Sequence, residues 1–151
     1  MFLRALTAIL ILPGMVAFVV PLLIVRYDPW PGYASDAGLV LMFIGVLVLF
    51  WCTRDFYVAG KGTLAPWDPP QQLVDIGLYR YSRNPMYIAV LIIIAGWAAY
   101  SGSYFVLVYG FVCAAIFHRR VVVHEEPWLD NKFAADWQRY QRLVPRWLVQ
   151  K

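Results

Sequence analysis

Long apolar stretches recur along this chain, at Ala5 to Val25, Ala37 to Trp51, Pro85 to Tyr100 and Ser103 to about Val123, and Pro/Gly-rich or charged segments separate them. A membrane helix needs ~20 such residues to cross ~30 Å of hydrocarbon. The second stretch gains length if Arg54 snorkels at its end, which extends it to Phe56. Among its 151 residues, 62% are hydrophobic and only 15% charged, too few to cover a soluble domain of this size. The expected fold is all-α: one polytopic membrane domain over 1–151 with about four spans (5–25, 37–56, 84–100, 103–124). The first stretch exceeds a signal-peptide core and is expected to remain as a span, kinked by Pro13 and Pro21. Asn84 suits an N-cap and Pro85 a first helical position, so the third span is expected to begin there.

Charge sets the orientation. With the N-terminus cytoplasmic, all of the 13 basic residues except Arg26 fall on that side, which places both termini in the cytoplasm. The net charge of +4 then reflects retention and attraction to membrane lipids, and no nucleic-acid partner is expected. Cys52 and Cys113 lie inside apolar runs without ligand-like spacing, so no disulfide framework is expected. His118 and His124 do not share a helix face, so no metal is expected either. Gly60-Lys61-Gly62-Thr63 reads as a flexible turn before the Pro66–Pro70 linker, since it lacks the spacing of a phosphate loop.

Only Ser101-Gly102-Ser103 joins the last two spans, which forces an antiparallel hairpin. At ~1.5 Å per residue, Arg83 lies roughly 27 Å from the tip and Glu125 roughly 33 Å, so both emerge at one surface. Two polar segments thereby become neighbours: Gly77 to Tyr87, and His124-Glu125-Glu126-Pro127. An adjacent carboxylate pair beside a bilayer needs cationic or hydroxyl-rich partners. Arg83 and the start of the third span offer the reverse, a place for an anion. Each residue also has a plainer reading: arginines as membrane anchors, glutamates as helix-end partners of Arg119 and Arg120, tyrosines as an interfacial belt. Beyond Pro127, Trp128, Leu129, Phe133, Trp137, Tyr140 and Val144 recur at helical spacing opposite charged residues. An amphipathic interfacial helix is expected over about 128–143, as an anchor or a cover for the site.

These segments resemble the isoprenylcysteine carboxyl methyltransferase and phospholipid methyltransferase group of membrane enzymes. That signature pairs G-x-Y-x-x-x-R-[HN]-P-x-Y with a downstream E-E and F-G-x-x-Y-x-x-Y-x-x-x-V-P-R. Gly77, Tyr79, Arg83, Pro85, Tyr87, Glu125, Glu126, Phe133, Tyr140, Val144, Pro145 and Arg146 match it, over about Leu73 to Trp147. The chain departs from it at Asn84 for His (a bacterial-type variation, as of an inner-membrane protein), Ala134 for Gly, and Trp137 for the first Tyr.

The resemblance implies transfer of a methyl group from S-adenosylmethionine to a lipophilic or membrane-associated acceptor at the cytoplasmic face. Position by position it implies a cofactor site of Leu73, Val74, Tyr79, Arg83, Asn84, Pro85 and Met86, with Glu125 or Glu126 completing it; Tyr87, an aromatic of the same segment, is a further candidate beside the adenine. The charge argument agrees, since this ligand carries an ammonium, ribose hydroxyls and a carboxylate. Glu126 or His124 is a candidate base for the acceptor's proton. Val121 stands where the prenylcysteine enzymes have a substrate-binding arginine, which disfavours a prenylcysteine acceptor. An NADPH-dependent sterol-reductase-type enzyme and a non-enzymatic membrane scaffold are the alternative readings.

Overall fold

The structure is a computed structural model that describes residues 13–60 and 71–148. The first part of the expected first span, most of the Gly60–Thr63 turn and the Pro66–Pro70 linker lie outside the described residues. Among those described, the secondary structure is entirely helical. Helix α1 spans Met15–Tyr27, α2 Ala37–Gly60, α3 Pro85–Ser101, α4 Tyr104–Arg120 and α5 Glu126–Leu143, and a single 3-10 turn, Gly77–Arg80, precedes α3.

The tightest seam joins α2 to α3, because small residues let the backbones approach. A Cβ at Gly38 would lie 2.3 Å from the Tyr100 backbone nitrogen, and one at Gly96 would lie 2.6 Å from Met42 Cγ. Ile93, Ile94, Val90 and Ala89 of α3 form the core with Leu49 of α2, Val106 and Cys113 of α4, and Ala17 of α1. Side chains such as Phe43, Leu47 and Phe50 on α2, and Val108, Phe111 and Val112 on α4, face outward. This apolar exterior belongs to helices that meet lipid rather than water.

The α3–α4 hairpin forms as its three-residue link requires. Gly102 adopts φ +67°, a left-handed cap that glycine takes without penalty, and Ser103 caps α4 through the Val106 N–H. The α1–α2 connection docks on this tip: the Gly32 N–H donates to Gly102 O at 2.8 Å and the Ser103 hydroxyl to Asp28. The C-terminal end of α2, the start of α3 and the end of α4 therefore share the opposite end of the bundle. Among the described residues, Arg26 is the one basic side chain placed at the hairpin-tip end.

Two expectations need correction. The helix does not stop at Pro127: from Tyr104 it runs on through a π-helical turn at Val121–Glu125 into α5, and the backbone leaves helical geometry only at Ala134. The wider turn accommodates the proline, whose ring and missing N–H would disrupt a regular ladder. A second π-turn, Met15–Val19, stands at the same offset before Pro21. Asn84 occupies the N-cap position, but its side chain makes no cap bond there; its amide donates instead to Arg146 O at 3.0 Å. Of the expected spans, α2 and the helical stretch that starts at Tyr104 are long and apolar enough to cross a membrane, and Met15–Tyr27 and Pro85–Ser101 are apolar but shorter.

Candidate active site

Proximity of the two polar segments follows from the hairpin register, and their pairing is now specific. Arg83, two residues before α3, donates from Nη1 to Glu126 Oε1 at 2.9 Å. Arg146 grips the same carboxylate with two bonds, Nε to Oε1 at 2.7 Å and Nη2 to Oε2 at 2.8 Å. Glu125 has different partners: the Tyr87 hydroxyl and Arg120 Nε both donate to its Oε1, the latter at 2.9 Å. Two glutamates adjacent in sequence thus address two directions. The cationic and hydroxyl partners that the sequence demands for them are supplied by the protein itself.

The C-terminal strap after α5 holds the signature segment in place. The Arg83 N–H donates to Pro145 O at 2.9 Å, and the Ser82 hydroxyl and the Asn84 amide both donate to Arg146 O. Trp147 donates from Nε1 to His118 Nδ1 at 3.2 Å. The strap reaches this position because α5 kinks at Ala134, where φ is +41°. After the kink, the Trp137 ring lies 5.5 Å from the Arg83 guanidinium carbon, a cation–π contact. The Tyr140 hydroxyl donates to Tyr79 O at 2.6 Å.

Of the residues expected at the site, Leu73 packs against the Trp137–Tyr140–Val144 cluster, and Val74, Tyr79 and Met86 pack together over Cys52 of α2. Pro85 is buried at the head of α3. His124 is exposed on the π-turn. Arg80, the other arginine of the turn, is also exposed, in keeping with an anchor. The sequence assigned no role to Arg146 or Trp137 beyond the V-P-R match and the amphipathic face, and passed over Asp55. At this level the Tyr87 ring of α3 packs against the Phe117 ring of α4, with centroids 4.6 Å apart.

The electrostatics favour an anion. Two guanidiniums share the single carboxylate of Glu126, which leaves a positive excess in a site where Arg83 is 11% exposed. Burial pulls the Arg83 pKa below its usual value, Glu126 opposes that shift and Arg146 adds to it. Hydrogen bonding to Glu126 raises Arg146 instead, against a smaller effect of burial. The Arg83 Nε–H is buried and has no hydrogen-bond acceptor. Tyr79 is held neutral: burial raises its pKa well above 10, reinforced by Cys52, Tyr140, Asp55 and Glu125.

This all-helical membrane-type architecture, with paired arginine and glutamate blocks at one end, agrees with a family comparison. The model of the phospholipid methyltransferase family matches residues 34–136, more than half of the chain. The chain belongs to that family, and membership implies methyl transfer at a membrane. An uncharacterized protein of Haemophilus influenzae is 27% identical over 63 residues, which make up 42% of this chain and 100% of that protein. No solved structure matches the chain.

Proposed function

We propose that the chain spans the membrane four times, with both termini and the site cytoplasmic, and transfers a methyl group from S-adenosylmethionine to a lipophilic acceptor. The observation that carries this reading is the buried Arg83 Nε–H, which has no acceptor and belongs to one of the two guanidiniums that share the Glu126 carboxylate. A buried donor with surplus positive charge fits the donor's carboxylate. Val74, Tyr79 and Met86 give an apolar and aromatic wall suited to an adenine, with Leu73 at the neighbouring Trp137 cluster.

When bound, the cofactor supplies an electrophilic methyl group on a sulfonium, which an acceptor nucleophile takes by in-line displacement. The residues of this chain align and shield. Arg83 and Arg146 orient the anionic end, and Glu126 holds both guanidiniums in register. Trp137, 2% exposed, covers Arg83, and the strap at Pro145 and Arg146 lies across the signature segment, excluding water. Both oxygens of Glu126 receive guanidinium N–H groups, so an acceptor's proton would pass to His124 rather than to Glu126. Val121 is 1% exposed and apolar, so it offers no cation to an acceptor carboxylate, which favours amine, hydroxyl or thiol acceptors.

The test is to incubate purified protein in native-lipid nanodiscs with S-adenosylmethionine labelled in the methyl group, and to extract the lipid. Label in the organic phase, abolished by Arg83→Ala, is expected. A wild-type protein that binds no donor and labels no lipid would return the reading to a scaffold.

A further inference from the structure

We propose that Asp55 is a positioning residue for the methyl-donor site, seating the Gly77 turn that carries Tyr79 and leads to Arg83; this rests on the donor reading above. Asp55 lies in the last turns of α2, 1% exposed. Its Oδ1 accepts from Arg54 Nη1 at 3.1 Å, but that guanidinium is 70% exposed. Its Oδ2 is buried and receives no hydrogen bond.

What Oδ2 meets is Gly77. This glycine has φ +55°, and a Cβ built on it would lie 1.9 Å from Oδ2 and 2.8 Å from Cγ. The carboxylate therefore occupies the space a side chain at position 77 would need. The contact continues on both sides of Asp55. Cys52 packs with Val74 and Tyr79, and the Phe56 ring lies 5.8 Å from that of Tyr79. The last turns of α2 thus form a floor for the signature turn, with Asp55 as the part that fits Gly77.

The consequence for the site follows along the chain. From Gly77 the turn closes through Tyr79 N–H to Ile76 O at 3.0 Å and Tyr81 N–H to Leu78 O at 3.1 Å, and two residues later Arg83 enters the Glu126 cluster. A shift at Gly77 moves Tyr79 directly and Arg83 through a short, hydrogen-bonded segment. Asp55 touches no donor atom in this account; it acts through Gly77.

The contact is steric, so size exchange tests it. The measurements are S-adenosylhomocysteine affinity by calorimetry and hydrogen exchange across residues 77–83, for Asp55→Asn, Asp55→Ala, Gly77→Ala and the Asp55→Ala/Gly77→Ala pair, at matched thermal stability. Asp55→Asn keeps the shape and is expected to bind within about threefold of wild type, whereas Asp55→Ala and Gly77→Ala each weaken binding by about tenfold or more. Exchange in Asp55→Ala should quicken in residues 77–83 and be unchanged along α3. The pair should lose less than the two single losses combined, since the alanine gains the vacated space while the strain at φ +55° stays in both Gly77 variants. Asp55→Ser replaces Asp55→Ala if the latter does not fold. Wild-type affinity and exchange in Asp55→Ala, or strictly additive losses in the pair, would overturn the inference alone. Failure of the wild type to bind at all would remove the donor reading and the inference with it.

Discussion

Glu126 and Arg146, 20 positions apart, are joined by two parallel hydrogen bonds of 2.7 and 2.8 Å, and Arg83 shares the same carboxylate at 2.9 Å. One carboxylate thereby ties together the start of α3, the head of α5 and the C-terminal strap.

Replacing that carboxylate by its neutral isostere tests how much the tie contributes. Glu126→Gln keeps the shape but leaves two guanidiniums facing one another at a site where Glu126 is 15% exposed. Loss of charge-assisted bonds of this kind costs about 1–3 kcal/mol. A lower unfolding temperature in detergent is expected, and an unchanged one would mean that the strap is held by its backbone contacts alone.

Ala134 carries a side chain at φ +41°, where the family pattern has glycine. Glycine adopts that conformation without the steric penalty that Cβ imposes, so Ala134→Gly should stabilise the kinked helix by about 1 kcal/mol. The check is thermal unfolding, with tryptophan fluorescence reporting on Trp137. A destabilised variant would contradict the kink.

Alkaline pH should loosen the site through Tyr79. Its folded pKa is raised, first by burial, so its contribution to stability is complete below the unfolded value near 10. As pH climbs past about 10 the unfolded chain releases a proton that the folded chain retains, and up to about 1.4 kcal/mol per pH unit is lost. Tyr79→Phe should therefore show a shallower fall in unfolding temperature above pH 10 than wild type. Equal slopes would show that the Tyr79 hydroxyl meets water.

Much of this arrangement is legible in the sequence, and the parts that are not have local causes. The three-residue Ser101–Ser103 link fixes the register of two helices, so counting residues brings Arg83 to the glutamates without any knowledge of packing. The same counting does not see a π-turn, so Pro127 reads as a helix end when it is an internal residue. Arg146 arrives from a strap whose path depends on a backbone dihedral at Ala134, which no hydrophobic pattern encodes. Asn84 has the composition of a cap, yet a carbonyl from the far end of the chain takes its amide. Asp55 sits beside Arg54, a residue that reads as a snorkelling anchor, and its burial emerges only once the Gly77 turn folds over α2.

The most direct measurement of the central claim is calorimetric titration of the detergent-purified protein with S-adenosylhomocysteine, alongside an Arg83→Ala/Glu125→Ala variant of matched fold. Micromolar binding by the wild type, weakened at least about a hundredfold in the variant, is the result the account predicts. Well-folded wild-type protein that binds nothing, in detergent and again in lipid nanodiscs, would contradict it.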